Sequence, residues 1–328
     1  MQGSSHALTN SISLNKGTTL SLNEIHAKSK KVIGVFGEVL ADIFPDQTVL
    51  GGAPFNVARH LQAFGMHPVM ITRTGQDALR KQFLQEMQRL KMDVSGLQID
   101  AKYPTGQVKV EMSSDGHQFD ILEDQAYDHI HAGITHMVTM SLKPEMVYFG
   151  TLAQRSMPSR LALDKFLEDG KCPRFLDVNL RAPFYNKHMI KRSILRSDIV
   201  KMNEVELAII AKYFKMDAAS LHDKAKQLAT EFGIKQVIVT AGAQGAWVLA
   251  DENIIETTAV SSMQAPFIDS VGAGDAFSSV CMVANILNWD HATMINRANE
   301  FAGAVCSIRG GAPTDTGFYT PFVNHWNL

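Results

Sequence analysis

From Val32 onward the chain alternates between two spacings of apolar residues. Short runs rich in β-branched and aromatic residues read as strands: VIGVFG (32–37), PVMITRTG (68–75), MVYFGTL (146–152), RFLDVNL (174–180), DIVKMN (198–203) and QVIVTAG (236–242). Between them PFNVARHLQAF, ALRKQFLQEMQRL, SRLALDKFLED and EVELAIIAKYF carry apolar residues at helical spacing. This alternation predicts an α/β fold, a mostly parallel sheet flanked by helices on both faces, with ligand sites at the carboxyl ends of the strands. One region breaks the rhythm. GQVKVEMSS (106–114) alternates Val108, Val110 and Met112 with polar residues and, after Asp115-Gly116, continues as HQFDILED, the pattern of a half-exposed hairpin. With LADIFPDQTVL (40–50) it predicts a small second sheet over those carboxyl ends. The expected organisation is one domain, 32–328, with lid insertions around 40–50 and 98–125, preceded by a polar extension, 1–31.

The most informative stretch is DSVGAGDAF (269–277). Phe277, Val280, Cys281, Ala284 and Leu287 repeat at helical spacing, so a helix starts near Asp275 and Gly272-Ala273-Gly274 form the loop entering it. First-turn amides lack intrahelical acceptors and the helix dipole is positive there, which suits an anion. Asp275 beside such a nest opposes anion binding, which makes sense for a group that takes a proton from an attacking nucleophile. The competing reading is that Asp275 only caps its helix.

Other segments carry chemistry with similar alternatives. GGAPFNVARHLQAFG (51–65) joins a diglycine turn, Gly51-Gly52, to a helix whose first turn presents Asn56, able to donate to and accept from a hydroxylated ligand or simply to face solvent. Asp42, in GEVLADIF just after the first strand, suits two sugar hydroxyls. Asp177, Asn179 and Arg181 alternate in DVNLR, placing them on one side of an extended strand end. In NEVE, Asn203 and Glu206 suit Mg²⁺ or phosphate work through water, and equally a capping box. TAGAQG, with Thr240, Gly242 and Gly245, is a strand-to-hairpin link that would edge a nucleotide pocket or form a plain turn.

Composition narrows the classes. Hydrophobic content of 45% and charged content of 20% fit a globular protein, and a formal charge of -2 with no basic stripe excludes nucleic acid as the expected partner. No apolar run approaches the roughly 18 residues of a membrane span. Cys172, Cys281 and Cys306 have no CxxC spacing, so a reducing cytoplasm is expected rather than a disulfide framework or zinc site. There is no G-x-x-x-x-G-K-[ST], no early G-x-G-x-x-G and no H-E-x-x-H, against P-loop, dinucleotide and zincin chemistry.

GGAPFNVARHLQAFG and DSVGAGDAFSSV, in this order and separation, resemble the two signatures of the ribokinase-like (pfkB) carbohydrate kinases, with GxD (75–77), DVNLR, NEVE and TAGAQG in the family's order from about Val32 to Pro313. The resemblance implies ATP-dependent phosphorylation of a sugar hydroxymethyl group. It makes Asp275 the base, and Gly272, Ala273 and Gly274 the anion hole. The acceptor falls to Asp42, Gly51, Gly52, Asn56 and Arg181; ATP falls to Asn179, Asn203, Glu206, Thr240, Gly242 and Gly245. Glu206 would act on Mg²⁺ through water, and Asp269 on a monovalent cation such as K⁺. Val271 departs from the usual Thr, leaving a cation site open but not implied. The lid region, 104–130, is most similar to fructokinase-like members, which implies fructose, whereas the Arg181 position is used on the substrate carboxylate in ketodeoxygluconate kinases. A homodimer through the lid is a further expectation, and a sugar-responsive binding protein without turnover is the alternative of a different class.

Overall fold

The computed structural model describes residues 31–113, 116–257 and 267–328. The 1–31 extension therefore lies outside the described residues apart from Lys31, as does the turn at 114–115. Thirteen strands are described: β1 Val32–Phe36, β2 Leu40–Ile43, β3 Thr48–Gly51, β4 His67–Thr74, β5 Leu97–Ile99, β6 Gly106–Ser113, β7 Gly116–Ile121, β8 Met146–Phe149, β9 Arg174–Asp177, β10 Ile199–Asn203, β11 Gln236–Thr240, β12 Ala246–Ala250 and β13 Asn253–Thr257. The helices are α1 Ala53–Ala63, α2 Ala78–Arg89, α3 Ala132–Leu142, α4 Met157–Gly170, α5 Lys187–Ile194, α6 Glu204–Phe214, α7 Leu221–Phe232, α8 Ala273–Leu287, α9 His291–Val305 and α10 Thr320–Trp326.

Nine strands form one sheet in the order β13-β12-β11-β10-β9-β8-β1-β4-β5, parallel from β11 to β5, with β12 and β13 antiparallel at one edge. The near-continuous apolar runs of the central strands follow from burial on both faces. One core layer holds α1, α2, α8, α9 and α10 through residues such as Phe55, Phe83, Phe277 and Phe301; the other holds α4 to α7 through Phe166, Ile190, Leu207 and Leu228. The chain runs outward from β1 to β4 and β5, then returns to place β8 on the other side of β1, so the strand order reverses beside β1. Ligand crevices open at such a reversal, outside the carboxyl ends of the strands.

The remaining strands make the expected small sheet, ordered β3-β2-β6-β7. Leu40, Val108 and Val110 on its buried side pack into the second core layer with Tyr127 and Ile130. Arg155 pins the end of β7, donating to Leu122 O at 2.6 Å and to both oxygens of Asp128 at 2.7 Å. Two boundaries differ from the sequence pattern. Leu97–Ile99 pairs with β4 in the large sheet, so the insertion starts after it rather than at 98. The strand expected over 174–180 stops at Asp177, because Asn179 turns into the left-handed region at φ 38°. Asp177, Asn179 and Arg181 therefore do not share one side of an extended strand.

Candidate active site

The loop into α8 forms where two chain segments cross almost without clearance. Gly272 caps the helix at φ 80°, and a Cβ there would lie 2.3 Å from Gly311 Cα. Only glycine meets both demands. The helix begins two residues before Asp275, so Asp275 sits inside the first turn, and no side chain caps the N-terminus. Among the described residues, the amides of Gly272, Gly274 and Asp275 have no backbone acceptor, while that of Ala273 donates to Ser270 O at 3.2 Å. Of the expected loop amides, that of Ala273 is therefore already engaged.

Asp275 does not serve as the cap. Its Oδ2 accepts from Asn56 Nδ2 at 2.8 Å, joining the two glycine-bearing segments across 219 positions of sequence. Asp275 keeps some exposure as a residue, but its carboxyl is enclosed by protein. Burial, then the nearby charge of Asp177, push it up to about 7, against the pull of Asn56, Lys201 and Arg181. Beneath it Lys201 Nζ lies 3.1 and 3.3 Å from the oxygens of Asp177, and Ser278 Oγ is 2.8 Å from Asp177 Oδ2. Burial disfavours the Lys201 charge, yet Asp177, Glu206 and Asp275 hold its pKa above the usual lysine value.

Asn56 is buried, and its Oδ1 has no partner. Gly52, at φ 101°, lets α1 start against the backbone of Glu38, whose carbonyl would be 2.8 Å from a Cβ at 52. Asp42 is on strand β2 rather than in a loop, paired with Val49 and Val108, and Gly51 faces it, a Cβ there falling 3.6 Å from Asp42 Oδ2. Burial raises Asp42 to about 6, and Glu38 to about 7 with Asp275 adding to the shift. Arg181, exposed, draws all three carboxyls down electrostatically. It makes no hydrogen bond to Asp177, which is taken by Lys201.

A second edge lies at the ends of β10 and β11, where Asn203 and Thr240 are register partners and the 242–245 turn follows. Asn203 and Glu206 form a reciprocal capping box at 2.8 and 2.9 Å, and Glu206 also accepts from Leu180 N at 2.7 Å. Both Glu206 oxygens are thus engaged by backbone amides. Asn179 is half-buried beside them. Asp269 Oδ1 accepts from Val271 N at 3.0 Å, a local turn leading into the loop.

Sequence reasoning missed Glu38, Lys201 and Gly311. Glu38 had a signal, a carboxylate between the first strand and Asp42; Lys201 had one too, a lone cation inside an apolar strand. Gly311 had none, since its role is set by the crossing with Gly272 and Asn56.

The sequence model of the pfkB family carbohydrate kinases matches residues 21–316. The chain is 27% identical over 266 residues to the fructokinase of Rhizobium leguminosarum bv. trifolii, covering 74% of this chain and 76% of that one. It is 26% identical over 314 residues to the aminoimidazole riboside kinase of Salmonella typhimurium, covering 88% and 92%. The solved structure of the aminoimidazole riboside kinase from Salmonella enterica, complexed with aminoimidazole riboside and an ATP analogue, superposes with a TM-score of 0.72 at 21% identity, covering 88% of this chain and 99% of that one.

Proposed function

The chain belongs to the pfkB family of carbohydrate kinases and is an ATP-dependent phosphotransferase; on that premise we propose that its acceptor is the hydroxymethyl group of a neutral ketohexose, fructose. The observation that carries the reaction centre is the bond between Asn56 and Asp275, which brings the GGAPFN segment and the GAG loop to one carboxylate. Asp275 takes the proton of the acceptor hydroxyl as its oxygen attacks the γ-phosphorus of ATP, and ADP leaves. The amides of Gly272 and Gly274 receive the charge on the transferring group, preorganised by the helix so that no dipole need reorient during transfer. Lys201, held by Asp177 below this turn, offsets part of the carboxylate charge around it. Asp42 and the free Oδ1 of Asn56 orient the sugar, while Asn203, Thr240 and the 242–245 turn border the nucleotide. Mg²⁺ bound with ATP neutralises phosphate charge; Glu206 would hold it through water, and Asp269 would hold a monovalent cation.

Neutrality of the acceptor follows from charge. Glu38, Asp42 and Asp275 all draw on Arg181, with Lys201 also acting on Asp275 and Arg155 on Glu38, so these cations already face carboxyls and a sugar carboxylate would add a further negative charge beside three acidic groups. The competing ketodeoxygluconate reading rests on Arg181 being exposed and unattached to Asp177. Fructose, aminoimidazole riboside and ketodeoxygluconate, each offered with Mg·ATP, distinguish these by kcat/KM. Fructose is expected to lead; a tenfold preference for another acceptor, about 1.4 kcal/mol, would replace fructose and leave the phosphoryl transfer intact.

A further inference from the structure

Three cations meet at a cavity that the reaction centre does not use. It encloses about 430 Å³ where the ends of α1 and α2 approach residues 313–323, and Arg59, Gln62, Arg89, Lys91, Thr316 and Tyr319 are among its lining. That volume lies within the range of about 300–1,000 Å³ typical of small-molecule pockets.

Arg59 is only 6% exposed. Its Nη2 donates to Glu86 Oε1 at 3.1 Å and to Pro313 O at 3.3 Å, and its Nε is buried without a partner. Arg89 grips the same carboxylate through Nε at 2.7 Å and Nη2 at 2.8 Å. Glu86 is therefore divided between two guanidiniums, and Lys91 adds a third cation with no ion pair among the described residues. Gln62 donates to Lys91 O at 3.2 Å, while its buried Oε1 is unpaired. A buried guanidinium sharing half a carboxylate remains undercompensated, and a second anion would relieve it.

We infer that this cavity is a binding site for a compact dianion, a phosphate monoester or a dicarboxylate, separate from the phosphoryl-transfer site. Arg59 supplies a fixed cation in the wall, with Arg89 and Lys91 movable ones at the mouth, and guanidinium planes pair two-pronged with either kind of oxyanion. The carboxyl ends of α1 and α2 bring about half a negative charge each, less than the full charges of the three cations after Glu86 is satisfied.

The test is calorimetric titration of the full chain with glycerol 3-phosphate and, separately, malonate, with ADP saturating the reaction centre. One saturable event is expected, and the tighter of the two probes identifies the source of the dianion. The double variant Arg89→Ala/Lys91→Ala, at exposed positions and leaving Glu86 paired with Arg59, should weaken it at least tenfold with ADP affinity unchanged. If that variant folds poorly, Lys91→Ala alone should still weaken binding severalfold. Binding of neither probe, loss of binding when ADP is added, or wild-type affinity in the variant overturns the site. Because the readout is binding, the outcome does not depend on which sugar is phosphorylated.

Discussion

At the scale of single residues the proposed chemistry turns on the protonation of Asp275. Asp275→Asn keeps an acceptor for Asn56 and deletes the proton acceptor, so turnover should fall by about 10²–10⁴-fold with ADP binding preserved; a variant keeping a tenth of wild-type kcat would return Asp275 to a structural role. As a base Asp275 works only when ionised, and with its pKa raised to about 7, kcat/KM should drop as pH falls below about 7. Glu38 lies close enough that its charge and that of Asp275 oppose each other. Glu38→Gln removes that like charge and should move the acid limb to lower pH; an unmoved limb would show that the two groups are independent. Stability has the opposite dependence. A carboxyl whose folded pKa exceeds its unfolded value favours the folded state below about 4 and loses that contribution as pH rises through about 7. Thermal melts of Asp275→Asn should therefore lie above wild type at pH 8, with the gap closing towards pH 4.

At the scale of elements, the start of α8 is held by backbone approach below and an ion pair beside it. Gly272→Ala would need both a left-handed alanine and displacement of Gly311, a cost of about 1–3 kcal/mol from the backbone alone, read as a lower denaturation midpoint together with weakened ADP binding. A Cβ at Gly274 would lie 3.0 Å from Lys201 Nζ, so the lysine also supports the loop from the sheet side. Lys201→Met would leave Asp177 buried with only hydroxyl partners, and breaking such a pair costs about 3–5 kcal/mol. Chemical denaturation would measure it, and a neutral result would mean that Asp177 is neutralised in the variant. The expected strands and helices mostly stand, because burial on both faces leaves continuous apolar runs. DVNLR misled because alternation assumes an extended backbone, which Asn179 abandons.

For the whole molecule, the small sheet is anchored to the core. Its inner side chains pack into the core and Arg155 fixes one end, while β2 and β3 carry Asp42 and Gly51, the proposed acceptor residues. Closure over bound sugar would exclude water that competes for the phosphoryl group. Hydrogen exchange on the sugar-saturated protein should slow in β2, β3 and β6, and unchanged exchange would count against a lid. The proposed pairing of two chains through this sheet should appear in sedimentation as a dimer whose stability rises with sugar.

The sequence by itself determined what is periodic or local: the α/β alternation, the separate small sheet, the helix behind GAG, and the two glycine segments that resemble the pfkB signatures. Local chemistry leaves a mark on neighbouring residues, so it can be read along the chain. What only the tertiary structure decided is which alternative each motif takes. NEVE closes into its local capping box, and the fold adds Leu180 N to the other oxygen of Glu206. Asp275 falls three residues past the Gly272 cap, where Asn56, brought alongside by the packing of α1 against α8 on one face of the sheet, takes its carboxylate. Lys201 and Glu38 gain their importance from burial beside charges distant in sequence, and burial and distance are set by packing, to which spacing along a chain is blind.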